Sequence, residues 1–191
     1  MRKIKIKTLE IAGLASALQA LRLPYKKECR SEIADYPIAF CNEDINEWDY
    51  GRIVRIHPND LQLMSTLVKR GDEHCKVLRG LVVYAEIDAP IWFYRELETY
   101  RIGRERLSSE STMHSECKGL SGEELEQAKD NIPMGHIQKT IDMFSYTTLR
   151  RIYLQRHNHR LPMWHDFCDW IKSLPLANEL ILPDYEKDSN R

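Results

Sequence analysis

The chain has 191 residues and a formal charge of −1, from 28 basic and 29 acidic side chains. Its length and its hydrophobic fraction of 42% fit one soluble globular domain with a real core. The balanced charge gives no global field for duplex DNA or an anionic membrane, so we expect no nucleic-acid polymer as a partner. The five cysteines form no C-x-x-C pair, which argues against a disulfide framework or a thiolate zinc site. No apolar run approaches the length of a membrane span and the polar start does not resemble a signal peptide, which predicts a cytoplasmic protein.

The first half of the chain predicts two strand and helix pairs separated by loops. Lysine alternates with isoleucine in KIKIKTLEI (3–11), which indicates an edge strand with one wet face. Alanine and leucine then indicate a helix over 12–21, which Pro24 ends. Residues 25–50 are predicted to be loops with a short strand near 38–40. A strand over 51–56 follows. After it comes a helix over 61–69, which residues 58–60 cap and Gly71 ends.

Residues 79–115 combine a buried strand with a charged helix. Residues 80–87 are an apolar, β-branched run of strand length, and Pro90 cannot continue a ladder but can open a helix. The following IWFYRELETYR (91–101) has apolar side chains at helical spacing on several faces, which predicts an embedded helix. Its charged side chains need internal ion pairs or a ligand, because unpaired buried charge is too costly to persist.

The C-terminal half is predicted to be mainly helical. Ser121 followed by Glu124 is a capping-box arrangement for a short exposed helix. Apolar residues recur at helical spacing over 137–153, which indicates one long helix after Pro133. A final helix carries an apolar stripe that consists of Trp164, Phe167, Cys168, Ile171 and Leu174. We expect a single domain over 1–183 and a frayed tail over 184–191.

Arginines are concentrated in two segments that are distant in sequence, residues 95–106 and residues 150–160. Guanidinium groups suit phosphate oxygens, so the two segments predict a shared phosphate or carboxylate ligand. The alternative is an ordinary charged surface. His157-x-His159 could be a metal pair, but it lacks helical H-x-x-x-H spacing and a carboxylate motif, so we expect no metal.

Hydroxyl side chains follow the first arginine segment, at Ser108, Ser109, Ser111 and Thr112. They could cap a helix or contact a phosphate. No G-x-S-x-G elbow surrounds them, which argues against a hydrolase nucleophile.

The run APIWFYRELETYRIG, preceded by LVKRGDEH and a hydrophobic strand, resembles the flavin-dependent thymidylate synthases. That family reductively methylates dUMP with FAD, methylene-tetrahydrofolate and NADPH. Its pattern begins with a glycine-histidine turn, continues through a strand into a buried helix, and reaches R-H-R-x-x-S-x-N-E-x-S-x-R. The resemblance covers roughly residues 60–175. It implies an α+β domain with a mixed or antiparallel sheet flanked by long helices, and a homotetramer with active sites built from several subunits.

The resemblance also implies which residues bind the flavin. With API as the anchor, Thr99-Tyr100-Arg101 falls on the R-H-R triplet, whereas an alternative places Arg104-Glu105-Arg106 there. His74 is the best candidate for the glycine-histidine contact, although direct alignment on Gly71 would place Asp72 there. The helix TTLRRIYLQR resembles one that ends in a flavin-contacting arginine, here Arg156. The implied cofactor-binding residues are His74, Arg79, Arg101, Arg104, Arg106, Arg156 and His159.

A second set of residues is implied for the nucleotide and its chemistry. Glu96 falls where the family has a nucleotide-binding glutamine, and SESTMH (109–114) fits N-E-x-S-x-R after a short insertion. Thr147 stands where a nucleotide-binding arginine is expected, and Arg160 is the candidate for the arginine that stabilises charge on the pyrimidine. The implied catalytic residues are Arg160, Ser109 and Glu110, and the implied substrate-binding residues are Arg95, Glu96, Ser111, Thr112, His114 and Arg150.

Three functions fit these residues. The first is methylation of dUMP to dTMP, in which the flavin carries the redox work and no cysteine nucleophile is needed. The second is modification of another pyrimidine nucleotide on the same fold, for example hydroxymethylation, because the triplet and the glutamine position have changed. The third is a nucleotide-binding or interaction protein on the same scaffold without catalysis.

Overall fold

The structure is a computed structural model that describes residues 3–33, 53–71 and 73–182. Its elements in chain order are β1 (Lys5–Ala12), α1 (Leu14–Arg22), β2 (Glu32–Ile33), β3 (Ile53–Arg55), α2 (Pro58–Lys69), β4 (Val82–Pro90), α3 (Ile91–Leu97), β5 (Arg104–Ser109), α4 (Gly122–Asp130), β6 (Ile137–Ser145), α5 (Tyr146–Arg156), α6 (Pro162–Lys172) and α7 (Ala177–Leu180). Short 3-10 turns lie at Leu23–Tyr25, Lys76–Arg79 and Glu98–Tyr100. The strand expected near 38–40 and the tail expected over 184–191 lie outside the described residues.

Four antiparallel strands form the main sheet in the order β1-β4-β6-β5, and β2 pairs separately with β3. Along β4, fully buried residues alternate with half-buried ones, so one face of the sheet holds the core. The buried set consists of Val83, Ala85, Ile87 and Ala89. The predicted α+β fold with an antiparallel sheet is confirmed.

Aromatic rings from α3 and α6 fill the core beneath the sheet. The ring of Phe93 lies 4.7 Å from that of Trp164 and 6.0 Å from that of Phe167, measured between centroids. Phe144 of β6 meets Phe167 edge to face at 5.9 Å. Each of these side chains is fully buried, and burial of a large apolar side chain contributes about 2 to 3 kcal/mol to stability. The packing fixes α3 against the centre of the sheet.

The helices and strands predicted in the N-terminal half are confirmed within the described residues, but the loops expected over 25–50 also contain the short strand β2. β1 is an edge strand, α1 follows it, and β3 lies within 51–56. Helix α2 begins at Pro58 rather than at residue 61, because His57 is its cap and accepts a hydrogen bond from the backbone N–H of Asn59 at 3.1 Å. The apolar stripe predicted for the final helix is buried, with Leu174 just after the end of α6 and its other residues within the helix.

The prediction of one long helix over 137–153 is wrong in its first half. Ile137–Ser145 is strand β6, and helix α5 begins only at Tyr146. Thr140, Asp142 and Phe144 are buried in alternation, with the period of a strand. β6 lies between β4 and β5, and this tertiary pairing overrides the helical spacing of its apolar residues. Half of the predicted helix therefore belongs to the centre of the sheet.

Two local interpretations are also corrected. Pro90 continues the β4 ladder opposite Ile137 and caps α3 instead of opening it. β1 pairs with β4 only as far as Asp88, so Pro90 has a neighbouring strand on one side alone, where proline is tolerated. Helix α4 forms as predicted, but its N-cap Ser121 makes no side-chain capping hydrogen bond, so the capping box is wrong.

A buried carboxylate holds the segment after α1 against α2. Asp60 is fully buried and accepts hydrogen bonds from the Nε of Arg22 at 2.8 Å and from the backbone N–H groups of Arg30 and Ser31 at 2.9 and 2.8 Å. Burial alone raises the pKa of Asp60, but the hydrogen bonds from Ser31, Arg22 and Cys29 outweigh it and lower the pKa to about 2. Asp60 is therefore an ionised clamp between two segments.

Asp60→Asn should lower the free energy of unfolding by about 2 kcal/mol at neutral pH, because the folded-state pKa lies below the ordinary 3.8. A depressed pKa stabilises the fold above about pH 4, and this stabilisation is lost as the pH falls towards 2. Urea unfolding of both proteins across that window measures the effect. Asp169→Asn, at an exposed carboxylate paired with Lys172, is the control and should leave stability nearly unchanged. Equal effects of the two substitutions would contradict the clamp.

Candidate functional site

Polar side chains surround helix α3 in three groups. The arginine–carboxylate network consists of Glu98, Arg104, Arg106 and Asp142. The Arg156 cluster consists of Glu96, Tyr100, Arg156 and Trp164. The 110–116 pocket lies beside the start of the helix, where the N–H groups of Ile91 and Trp92 donate to the carbonyls of His136 and Met134 at 3.0 and 3.1 Å. Helix α3 therefore links all three groups.

The arginine–carboxylate network joins β5, β6 and the 3-10 turn after α3. Arg104 and Arg106 alternate along β5, so both point to the core face of the sheet. Arg104 Nη2 lies 2.5 Å from Asp142 Oδ1, and Arg104 Nη1 lies 3.2 Å from Glu98 Oε1. Arg106 Nη2 lies 2.8 Å from the same Glu98 oxygen. Two guanidinium groups thus share two carboxylates.

Burial explains why Arg104 and Asp142 need each other. The side chain of Asp142 is fully buried and that of Arg104 is 3% exposed, so removal of either partner leaves a buried charge. The hydroxyl of Thr140 also donates to Asp142. Arg104 Nε is buried and has no hydrogen-bond partner among the described residues. The charged groups of the network are thus all paired, and the Nε–H of Arg104 is a buried donor that still lacks an acceptor.

Tyr94 forms the floor beneath the network. The guanidinium carbon of Arg106 lies 4.9 Å from the centroid of the Tyr94 ring, within cation–π range. The Tyr94 hydroxyl oxygen lies 2.6 Å from the carbonyl oxygen of Ile87 and 2.8 Å from that of Gln138, so its single proton is shared between two acceptors. Burial raises the pKa of Tyr94 to about 12, so the phenol stays protonated and holds Arg106 over a neutral ring.

The Arg156 cluster joins α3, α5 and α6. Arg156 Nε donates to the Tyr100 hydroxyl at 2.7 Å, and its guanidinium carbon lies 4.6 Å from the Trp164 ring centroid. Trp164 Nε1 donates to Glu96 Oε2 at 2.8 Å, and Arg156 Nη1 lies 3.6 Å from the same oxygen. His159 approaches the Trp164 ring edge to face at 6.3 Å. Glu96 and Arg156 are therefore in one contact group, as a shared site requires.

The 110–116 pocket is an open cavity of about 360 Å³. Its lining consists of Glu110, Ser111, Thr112, His114, Ser115, Glu116, His136, Ile137 and Gln138. The Glu110 carboxylate accepts from the backbone N–H of Lys139 at 2.9 Å, and Gln138 Nε2 donates to the Glu110 carbonyl at 2.6 Å. The hydroxyl of Ser115 lowers the pKa of Glu116, which lies 3.5 Å from His136. These contacts fasten the loop to the start of β6.

The remaining candidate residues are on the surface. The side chains of His74, Arg79, Arg95, Arg101, His114 and Arg160 are exposed, and within the described parts of the chain they make no ion pair. Arg150 is half-buried and donates to the carbonyl of Ile181 at 2.8 Å. Ser109 lies opposite Thr140 at the end of β5. Asp72 lies outside the described residues. The candidates thus divide into a paired interior set and an exposed set.

Several residues of these groups were not expected from the sequence. They are Tyr94, Glu98, Tyr100, His136, Gln138, Thr140, Asp142 and Trp164. Asp142 did carry a signal, because a single carboxylate inside the apolar run TIDMF needs a buried partner. This signal was overlooked because the run was interpreted as part of a helix. Strand β5 gave no signal, because RERLSS lacks apolar alternation.

Gly103 positions the network by setting the turn that enters β5. Its φ is +76°, and an added Cβ would lie 2.5 Å from the side-chain oxygens of Ser145 and Thr148. The Gly103 carbonyl accepts from the Ser145 N–H at 2.7 Å, and the Thr148 hydroxyl donates to the Ile102 carbonyl at 2.6 Å. Only glycine fits this close approach to the first turn of α5.

Gly103→Ala should lower the free energy of unfolding by about 3 kcal/mol or more, because backbone strain adds to overpacking. Gly119→Ala is the matched control, since Gly119 has a φ of +82° but no atom within 4 Å of its added Cβ. It should cost about 1 kcal/mol, from backbone strain alone. Urea unfolding compares the two, and equal losses would show that the contact with α5 is unimportant.

Comparison with known proteins identifies the fold. No protein-family model matches the sequence, and no curated protein matches it. Two structures of thymidylate synthase X from Helicobacter pylori, with FAD and dUMP, match with a TM-score of 0.64 and 14% identity, covering 93% of this chain and 97% of theirs. A UMP/dUMP methylase, PolB from Streptomyces cacaoi bound with 5-Br dUMP, matches with a TM-score of 0.59 and 13% identity, covering 96% of this chain and 97% of that one.

The chain has the fold of these proteins. The likeness extends over 93% to 96% of this chain, which is more than the residues 60–175 that carry the resemblance in the sequence. In the described residues, no group of three or more His, Cys, Asp or Glu side chains is placed to hold a metal ion. No described helix is long and apolar enough to cross a membrane.

Proposed function

We propose that the chain binds FAD and a pyrimidine nucleotide and catalyses reductive methylation of dUMP to dTMP, with methylene-tetrahydrofolate as carbon donor and NADPH as reductant. The observation that carries the proposal is the set of guanidinium groups around α3, on a fold shared with an enzyme that binds FAD and dUMP. Guanidinium forks match the geometry of phosphate oxygens, and both ligands carry phosphates.

The residues present fit the phosphates of a flavin. Arg104 Nε is a buried donor without an acceptor among the described residues, and Arg101, three residues earlier in the chain, is exposed. Arg156 is oriented by Tyr100 and Trp164 rather than by a full ion pair, which leaves part of its fork for a ligand. We assign the flavin to His74, Arg79, Arg101, Arg104, Arg106, Arg156 and His159. When bound, the flavin supplies the redox chemistry that side chains cannot.

The 110–116 pocket is the proposed nucleotide site. The hydroxyls of Ser111 and Thr112 and the ring of His114 line it and offer hydrogen bonds to a sugar or phosphate. Arg95, Glu96 and Arg150 complete the proposed binding set. Ser109 and Glu110 stand at its entrance from β5, where the backbone of Lys139 fixes the Glu110 carboxylate. Their proposed role is to orient the pyrimidine for reaction.

Arg160 is the proposed electrophilic residue of the pyrimidine site. Its guanidinium group would stabilise the charge that develops on the ring carbonyl as carbon five becomes nucleophilic. Arg160 is exposed just before α6, outside the contacts of the pocket. We therefore propose a homotetramer in which Arg160 and the exposed arginines complete the active site of a neighbouring subunit. We also propose that the protein is cytoplasmic.

A second candidate substrate is another pyrimidine nucleotide, such as UMP or dCMP. One structural neighbour is a methylase of UMP and dUMP, which favours UMP as an alternative. Glu96 and Thr99 differ from the nucleotide- and flavin-binding residues of the family, so the base or sugar that is accepted can differ too. Rescue of a thymidine auxotroph separates these candidates, because only dTMP synthesis restores growth.

Flavin binding is the first test of the proposal. FAD should copurify or bind on reconstitution, and Arg156→Ala should abolish its retention while the circular dichroism spectrum stays unchanged. Arg55→Ala is the control, because this arginine is 72% exposed, lies on β3 and pairs only with Glu32 among the described residues. Lack of flavin binding by the unmodified protein would overturn the proposed function. An unchanged flavin affinity of Arg156→Ala would remove Arg156 from the site.

A further inference from the structure

A single oxygen of Glu98 bridges the two arginines of the network. Glu98 Oε1 lies 3.2 Å from Arg104 Nη1 and 2.8 Å from Arg106 Nη2. One oxygen that accepts from two guanidinium forks is the arrangement that a phosphate oxygen makes at an arginine pair. Glu98 therefore occupies the position that suits an anionic ligand.

The two carboxylates of the network differ in how firmly they are held. Asp142 is fully buried on the central strand β6, where the hydroxyl of Thr140 also donates to it. Glu98 lies on the 3-10 turn after α3, and its side chain is 45% exposed. Removal of Asp142 would leave Arg104 as an unpaired buried charge. Glu98, in contrast, can turn into solvent. Asp142 is the fixed counter-ion and Glu98 is the exchangeable one.

Charge balance leaves room for one exchangeable anion. Arg104 and Arg106 carry two positive charges, of which Asp142 neutralises one. Arg106 is 29% exposed and lies over the Tyr94 ring, so its fork is oriented but open to solvent. Arg104 Nε is a buried donor that neither carboxylate reaches. When Glu98 leaves, an anion can accept from Arg104 Nη1 and Arg106 Nη2, while Arg104 Nη2 stays paired with Asp142.

We propose that Arg104 and Arg106 form a phosphate-binding site that Glu98 occupies in the free chain and that a ligand phosphate enters by displacing Glu98. The inference deepens the proposed function, on which the identity of the ligand rests. The phosphate belongs either to the nucleotide or to the flavin. Glu98 sets the selectivity of the site, because a phosphomonoester or a diphosphate group, with two negative charges, competes with a carboxylate better than singly charged anions do.

Titration calorimetry of Glu98→Gln tests the inference with inorganic pyrophosphate, dUMP and FAD as probes. Because the substitution removes the competing charge, pyrophosphate should bind about three- to tenfold more tightly than to the unmodified protein. The same gain should appear for dUMP or for FAD, and the ligand that shows it is the source of the phosphate. Deoxyuridine and riboflavin, which lack the phosphate, should bind unchanged.

Glu105→Gln is the matched control. Glu105 lies between the two arginines on β5 but faces the other side of the sheet, opposite Met143. It changes the net charge by the same amount without opening the network, so the affinity for pyrophosphate should not change. Glu98→Asp, which keeps the charge but shortens its reach, should give an intermediate gain.

Three results would overturn the inference. They are an unchanged or weaker affinity of Glu98→Gln for pyrophosphate, an equal gain for Glu105→Gln, and an equal gain for the ligands without phosphate. Tighter binding of pyrophosphate but of neither dUMP nor FAD would support the anion site and remove both ligands from it. Failure of the proposed function is seen separately, as lack of flavin binding by the unmodified protein.

Discussion

The ion pair between Asp142 and Arg104 is the interaction on which the site depends. It joins the central strand β6 to the charged edge strand β5, with both side chains almost completely buried. A buried pair of this kind is stable only with good geometry and further hydrogen bonds, which Thr140 and Glu98 provide. Glu98, on the 3-10 turn after α3, also contacts Arg104 at 3.2 Å.

The arginines of the chain have two different tasks. Carboxylates and aromatic rings orient the interior arginines around α3, which are Arg104, Arg106 and Arg156. Arg101 and Arg160 are exposed and free to contact a ligand or a neighbouring subunit. Donors that are held in place before binding lose less conformational entropy when a ligand arrives, so the interior arginines suit the proposed phosphate ligand. The same arginines can therefore form ion pairs and also bind a ligand.

Periodicity in the sequence predicted those elements whose environment is local. The alternation in β1 and the apolar stripe of α6 reflect one wet face and one buried face, and both elements were found. Strands β5 and β6 were not predicted, because RERLSS is a charged edge and TIDMF is buried by its neighbours. The same error hid Asp142. Clustering of arginines indicated an anionic site, but the pairing of Glu98 with Arg104 and Arg106 requires the fold.

Product formation is the most direct test of the central claim that this site methylates a uracil nucleotide. The purified protein is incubated with dUMP, methylene-tetrahydrofolate, NADPH and FAD, and the nucleotides are separated by chromatography. We expect dTMP to accumulate and its formation to require FAD. Parallel incubations with UMP and dCMP measure whether other pyrimidine nucleotides are also accepted. Flavin-loaded protein that forms no methylated product from dUMP or UMP would contradict the central claim.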